Sequence, residues 1–371
     1  MNSNATPSII NENNTKIKAT LAKRDPNKKQ EIFYNPLMQS NRNISILLLN
    51  SIPNKEMDIA DPLAGSGIRS IRFLKELKKE KIGRIFVNDK KENFQEVFKN
   101  NLTLNKIKMS KPSTKKIVIK NDEAEHFFLN QHSTDYCGYF DYIDIDPFGS
   151  PNQFLNSAVA KIKRQGILAI TATDTAALTG TYPQVTKRKY WATSQKNYLM
   201  HETGLRILIR KVQLQGIQFD KALVPILAYH KDHYFRVFFR SEKGKEKCDE
   251  LIKQHLYFLF CPHCLNFKTS RFNKETCSCQ KEFTFAGPLW AGDLSETTLL
   301  EKMATENPFP EEQLFLELLL GESRIKTVGF HDLHVMAHKE KRDAEPMEVA
   351  LLRLKGVRTH FSLTGIKTEK R

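Results

Sequence analysis

The densest run of potential chemistry in the 371-residue chain is Asp141-Tyr142-Ile143-Asp144-Ile145-Asp146-Pro147-Phe148-Gly149-Ser150-Pro151. It reads as a strand, Tyr139–Ile145, ending in a carboxylate, a proline and an aromatic ring. An exocyclic amine on a nucleobase is a poor nucleophile, because its lone pair is delocalised into the ring. The Asp146 carboxylate and the Pro147 carbonyl can accept hydrogen bonds from such an amine and turn its lone pair towards an electrophilic methyl group. Phe148 offers a face on which a flipped base can stack. Asp141 and Asp144 have no assigned role, since solvated strand-end carboxylates read the same way.

A second set lies upstream. Asp61-Pro62-Leu63-Ala64-Gly65-Ser66-Gly67 falls between a predicted strand, Met57–Ala60, and a helix opening at Ile68. Glycines there let the backbone turn tightly, leaving amide N–H groups at the carboxyl edge of a sheet. The next strand ends in Asn88-Asp89, where an acid can accept both hydroxyls of a ribose. The third ends at Asn121-Asp122-Glu123-Ala124, where an adenine could be read. A lone GxG is often a simple turn. Together with the two acids it points to an adenosine-bearing cofactor. No GxxxxGK[ST] loop is present, which counts against an ATPase or GTPase.

Six cysteines are too few and too clustered for a secreted disulfide framework. Cys137 and Cys248 stand alone and read as ordinary buried thiols. The others form Cys261-x2-Cys264, twelve intervening residues, then Cys277-x-Cys279. Four thiolates in two close pairs suit tetrahedral Zn2+, which would close a loop lacking a core of its own. The one-residue spacer of the second pair is tighter than usual. Unligated reduced thiols and a redox pair are the other readings.

The elements that must position these residues alternate along the chain. Predicted strands are Met57–Ala60, Arg84–Asn88, Lys116–Lys120, Tyr139–Ile145, Gly166–Thr173, Ala222–His230 and Tyr234–Arg240. Predicted helices lie at 68–80, 91–104, 123–131 and 152–163, with a longer one at 191–215. That order implies right-handed crossovers and a largely parallel sheet. The last two strands are too close for anything but an antiparallel hairpin. Seven strands with that ending point to the methyltransferase variant of the doubly wound α/β fold. Residues 1–30 are polar and read as partly extended, and the run at 241–250 reads as a boundary. Beyond it come the cysteines, helices at 295–306 and 310–321, and a tail of helix (329–339), helix (346–356) and strand (357–363).

Charge narrows the partners. Lys and Arg number 58 against 42 Asp and Glu, a net charge of +16. The whole surplus lies in residues 1–240, with 38 basic and 22 acidic side chains. A polyanion such as a nucleic acid would be attracted, although a Lys-rich surface can also serve solubility alone. No apolar run reaches the length of a membrane span, and the N-terminus lacks the apolar core of a secretory signal. A soluble, cytoplasmic, monomeric protein is expected.

These segments, in this order, resemble the tRNA guanine-26 N2-dimethyltransferases of archaeal and eukaryotic type over nearly the whole chain. The resemblance is carried by Phe33-Tyr34-Asn35-Pro36 with Asn41-Arg42, by Gly67-Ile68-Arg69-Ser70-Ile71-Arg72-Phe73, by Asn88-Asp89 and by Asp144 through Pro151. Thr173-Asp174-Thr175-Ala176, His201-Glu202, His233-Tyr234-Phe235-Arg236, Gly287-Pro288-Leu289-Trp290 and Arg358-Thr359-His360-Phe361 extend it. It implies a Rossmann-like class I methyltransferase domain at 57–241, an N-terminal extension, 1–56, that contributes to cofactor and base sites, and a C-terminal zinc-containing tRNA-binding domain, 242–371, with a winged-helix-like tail. It implies S-adenosylmethionine held by Arg42, Arg69, Asp89, Asp122, Glu123 and Ala124. It further implies Asp146 and Pro147 around the reacting amine, with Phe33 and Phe148 sandwiching the guanine. Arg358 and Lys367 would contact phosphates or be solvated, while His201 and Glu202 would be structural. An RNA-binding adaptor with a degenerate fold, or an enzyme acting on another tRNA nucleotide, is the competing expectation.

Overall fold

Strands buried on both faces need helices on either side of the sheet, and that requirement organises the main sheet. Residues 7–20, 32–109, 117–129 and 138–369 are described in this computed structural model. The chain forms two compact units, one running to Ile170 and taking in Glu306–Glu312, the other holding Thr171–Thr305 and Gln313–Arg371. Among the described residues no helix is long and apolar enough to cross a membrane.

The first unit opens with an antiparallel hairpin, β1 (Ser8–Glu12) and β2 (Thr15–Ala19), followed by helix α1 (Gln39–Ser51). Then come β3 (Met57–Asp61), α2 (Ile68–Glu76), β4 (Ile82–Asn88), α3 (Phe94–Leu104), β5 (Ile117–Lys120), α4 (Ala124–Leu129), β6 (Phe140–Ile145), α5 (Leu155–Lys161) and β7 (Ile162–Ala172). All five residues of β3 are buried. It pairs in parallel with β4 and β6, placing Ile59 opposite Ile85 and Tyr142. The hairpin is tied down by the buried Asn101 of α3, whose Oδ1 accepts from the Lys18 N–H at 2.7 Å. Its Nδ2 donates to the Ser66 carbonyl at 3.0 Å.

The second unit contributes α6 (Thr175–Leu178), α7 (Pro183–Tyr190), α8 (Met200–Ile217), β8 (Lys221–Lys231), β9 (Tyr234–Lys243) and α9 (Lys245–Ile252). It continues with β10 (His255–Phe260), β11 (Phe267–Ser270), β12 (Thr284–Trp290), α10 (Thr297–Thr305) and α11 (Gln313–Ser323). It closes with β13 (His331–Asp332), α12 (Leu333–Glu340), α13 (Met347–Leu354), β14 (Val357–Thr359) and β15 (Ser362–Lys367). The seven-stranded sheet has the order β5-β4-β3-β6-β7-β9-β8, with β8 and β9 forming the expected antiparallel hairpin. Two three-stranded sheets, β11-β10-β12 and β13-β15-β14, complete the unit.

Within the polar N-terminal stretch, residues 7–20 hold the β1–β2 hairpin, extended as expected. Three predicted stretches differ. The long helix predicted from 191 begins at Met200, because Thr193 exchanges backbone hydrogen bonds with Gly287, both at 2.7 Å, and cannot be helical. The run at 241–250 carries the end of β9 and most of α9. The strand predicted at 357–363 turns at His360 and Phe361 into a β14–β15 hairpin. Cys248 is buried as expected, while Cys137, Lys116 and residues 130–131 lie outside the described residues.

Candidate active site and cysteine cluster

The first βα turn needs its second glycine. Gly67 has φ +76°, and a Cβ there would lie 2.2 Å from the Phe98 ring. The turn leaves the Gly65 N–H donating to Asp89 Oδ2 at 2.8 Å, while Asp89 Oδ1 accepts from the Lys91 N–H at 3.1 Å. Each Asp89 oxygen retains acceptor capacity, which suits a vicinal diol. Asn88 fixes the neighbouring turns, donating to the Pro62 and Asp122 carbonyls and accepting from the Asp122 N–H. Asp122 Oδ1 accepts from the Glu123 N–H at 2.8 Å, so that carboxylate is engaged at the start of α4. Glu123 is exposed, 3.3 Å from Lys90 Nζ, and Ala124 is buried beneath it.

At the end of β6 the carboxylates gather around one guanidinium. Arg69 Nη2 donates to Asp146 Oδ2 and to Asn41 Oδ1 at 2.9 Å. Its Nη1 donates to Ser45 Oγ at 3.1 Å and lies 3.2 Å from Asp144 Oδ2. Arg69, which the resemblance puts at the cofactor, pairs with Asp146 and Asp144. Asp144 has no exposed side-chain surface and accepts from the Tyr142 hydroxyl at 2.6 Å. Asp146 keeps 21% of its side chain exposed, making it the reachable acceptor of the two. Asp61, hydrogen-bonded by Ser70 Oγ at 2.7 Å, completes the group. Burial pushes its carboxyl up to about 7, helped by Asp144 and Asp146 and opposed by Arg69 and Ser70.

Arg42 belongs to a second ion-pair network. Its Nε donates to Glu12 Oε1 at 2.7 Å and its Nη2 to Glu12 Oε2 and the Asn35 carbonyl. Arg72 Nη1 donates to the same Glu12 oxygen at 2.8 Å, and Tyr34 donates its hydroxyl proton to Oε2 at 2.8 Å. Burial would raise the Glu12 carboxyl, but Arg42, Arg72 and the Tyr34 hydrogen bond outweigh it and hold it below its ordinary value. Tyr34 is pushed up to about 12 by burial and by Glu12. Sequence reasoning missed Glu12, which lies in a polar stretch with no apolar period to mark it. It also missed α1, whose polar residues Asn41, Arg42, Asn43 and Ser45 are buried. Asn43 donates to Glu312 at 3.1 Å, and Ser40 does so at 2.7 Å.

The predicted aromatic pair meets. Phe33 and Phe148 pack edge to face with centroids 4.5 Å apart and planes at 69°. Phe33 also covers the first turn, 3.5 Å from a Cβ built on Gly65. A base between the rings requires about 7 Å, twice the ordinary carbon contact distance. Gly149, at φ +81°, turns the chain after Phe148 with nothing within 4 Å of its Cβ direction. Pro147 is buried.

In the second unit the sulfurs of Cys261, Cys264, Cys277 and Cys279 all lie within 4.8 Å of one another. The pairs Cys261–Cys279 and Cys264–Cys277 are 3.5 and 3.4 Å apart. Four sulfurs about 2.3 Å from one ion lie at comparable separations, so the set fits tetrahedral Zn2+. Each pair is followed by a residue with positive φ, Leu265 at +63° and Gln280 at +65°, so the shorter spacer still forms a tight turn. Lys367 is a correction to the sequence reading. It is buried with its Nζ 3.1 Å from Glu202 Oε1, which also accepts from Arg206 Nε at 2.9 Å, so it is neither solvated nor a phosphate contact.

The strand order and the acids at the carboxyl ends of β4 and β6 define a class I methyltransferase fold with a site at its usual edge. The family model described as N2,N2-dimethylguanosine tRNA methyltransferase matches residues 9–371, and the chain belongs to that family. It is 38% identical over 374 residues to the tRNA (guanine(26)-N(2)/guanine(27)-N(2))-dimethyltransferase of Aquifex aeolicus, covering 97% of this chain and 92% of that protein. It is 34% identical over 377 residues to the tRNA (guanine(26)-N(2))-dimethyltransferase of Pyrococcus horikoshii, covering 97% and 95%. The solved complex of Trm1 from Pyrococcus horikoshii with S-adenosyl-L-methionine aligns with a TM-score of 0.83 at 33% identity, over 98% of this chain and 97% of that one.

Proposed function

We propose that the protein transfers two methyl groups in turn from S-adenosylmethionine to the exocyclic N2 amine of guanine-26 in tRNA. The observation that carries this reading is Asp146, clamped by Arg69 at the end of β6 yet still reachable, beside the Phe33–Phe148 pair. S-adenosylmethionine, when bound, supplies the electrophilic methyl group. Asp89 would take its ribose hydroxyls; Glu123, Ala124 and the neighbouring Asp122 would flank the adenine; and Arg42, oriented by Glu12, would face its charged end. Asp146 accepts one N2–H and the Pro147 carbonyl the other, which orients the lone pair. As nitrogen gains a bond and positive charge, the carboxylate stabilises it and then takes the released proton. Each transfer breaks the donor's S–CH3 bond and releases the neutral thioether, S-adenosylhomocysteine. Once Asp146 has passed its proton to water, the one remaining N–H lets the same acceptor serve the second transfer.

The roles divide the chain into 1–56, contributing to cofactor and base sites, 57–241 for methyl transfer, and 242–371 for tRNA binding. Cys261, Cys264, Cys277 and Cys279 would hold one structural Zn2+, with four protein ligands and no open position. The order α11-β13-α12-α13-β14-β15 with the sheet β13-β15-β14 supports a winged-helix-like tail. A cytoplasmic monomer fits this role.

The test is mass spectrometry of nucleosides from an unmodified tRNA transcript incubated with the full-length protein and S-adenosylmethionine. N2-methylguanosine followed by N2,N2-dimethylguanosine, mapped to position 26, is expected. The Aquifex relative is named for guanine-27 as well, so modification there would widen the specificity. Binding of tRNA without any methylated guanosine would overturn the reading in favour of an adaptor.

A further inference from the structure

Helix α7 and its flanks present a surface that the site above does not use. Between Asp174 and Glu202 the chain holds Lys187, Arg188, Lys189 and Lys196 and no acidic residue. Lys189 lies on Asp174 at 2.9 Å, while Lys187 and Arg188 stand exposed. Two large aromatics bracket them, Tyr182 at 59% exposure and Trp191 at 52%. The other tryptophan of the chain, Trp290, is 5% exposed, with its indole N–H on the Asp293 carbonyl at 2.8 Å.

Trp191 is also held in an uncommon conformation. It ends α7 at φ +54°, the left-handed region where a bulky side chain is an outlier that the surroundings must enforce. Lys211 Nζ lies 3.0 Å from the indole centroid, and Arg210 Nη1 donates to the Trp191 carbonyl at 3.3 Å. The ring is therefore fixed against one cation while much of it remains in water. Positive charge alone would suit any polyanion. Flat aromatic rings kept exposed beside it favour a polyanion that carries bases able to stack.

We propose that this face docks RNA, with Lys187 and Arg188 against backbone phosphates and the Trp191 and Tyr182 rings stacking on unpaired bases. The inference rests on the tRNA reading above and adds the surface that would grip the substrate outside the reacting site.

Four full-length proteins test it: wild type, Trp191→Ala, Trp191→Phe and the double variant Lys187→Glu with Arg188→Glu. Methylation is measured against tRNA concentration at saturating S-adenosylmethionine, and binding against salt. The double variant should raise the tRNA KM at least tenfold and reduce the steepness of log K against log salt by roughly 1.4–1.8, about 0.7–0.9 for each of two phosphates lost. Trp191→Ala should raise the tRNA KM about fivefold or more, as loss of one base stack does, and Trp191→Phe should restore most of it. Tryptophan fluorescence of the wild type should be quenched by tRNA, and the quench should vanish in Trp191→Phe, where Trp290 alone emits. Unchanged S-adenosylmethionine affinity and melting temperature would show that the variants fold. Unchanged tRNA KM, salt slope and quench overturn this inference while leaving the tRNA reading intact. A wild type that neither binds nor methylates tRNA overturns both.

Discussion

The two regions that carry chemistry are assembled by opposite routes. In the first unit Glu12 holds Arg42 and Arg72, and Arg69 holds Asp144 and Asp146, each set joining distant stretches of chain through largely buried ion pairs. In the second, four thiols come from the short stretch Cys261–Cys279, held by two tight turns. Buried charges persist only when paired, so removing one member of the first network strands its partners. Removing a thiol undoes a local loop held by its own turns. The first region is cooperative across sequence; the second is modular.

The sharpest way to break this contrast is Asp146→Ala, which removes the reachable acceptor. The single-turnover methylation rate should fall by about 10²–10⁴ at saturating cofactor, with cofactor affinity near wild type. Asp146→Asn, which keeps an oxygen acceptor but not the charge, should fall between. A near-normal rate for the alanine variant would move the role to Asp144 or Asp174.

Replacing Cys261 and Cys264 by Ser probes the modular half. Elemental analysis should find one zinc per wild-type chain and none in the variant, and the melting temperature should drop by on the order of 5–10 °C. Binding of S-adenosylmethionine should survive. If zinc is absent from the wild type, the cluster is a set of reduced thiols.

Glu12→Gln leaves Arg42 and Arg72 without their shared carboxylate. Urea unfolding should show a loss of about 3 kcal/mol, the low end for a broken buried pair, together with weaker cofactor binding. Unchanged binding would mean that Arg42 is not oriented by the hairpin.

The remaining expected effect has a distinctive sign. Asp61 has its carboxyl raised from 3.8 to about 7 in the fold, so its contribution to stability is full below about pH 4 and lost as pH rises through 7. Thermal melts should show Asp61→Asn gaining on the wild type between pH 4 and 7 and holding that advantage at pH 8. The second unit slopes the other way. Burial beside His201, His360 and His233 lowers His230 from 6.5 to about 3, so its contribution is lost as pH falls from 6.5. A parallel pH response of the two residues would contradict this contrast.

The same contrast governs what was legible in the sequence. The cysteine cluster could be read from spacing because its contacts are local, and the seven strands because strands buried on both faces are continuous apolar runs. The DPF segment and the glycine turn could be read because each gathers its chemistry in a few consecutive residues. Glu12 could not, since its meaning depends on Arg42 and Arg72, far along the chain. Helix α1 was hidden because its polar face, with Asn41, Arg42 and Ser45, is buried towards the site rather than exposed, which erases the amphipathic period. The motif showed an arginine at position 69 but not that Asp144 and Asp146 are the carboxylates it meets.

The most direct test of the central claim alters one atom group of the substrate. Two tRNA transcripts, one with guanosine and one with inosine at position 26, differ there only in the exocyclic 2-amino group. With labelled S-adenosylmethionine, the guanosine transcript should take up two methyl groups at that position and the inosine transcript none, while both bind the protein with similar affinity. Equal methyl uptake at position 26 in both would contradict an Asp146 site built around that amine.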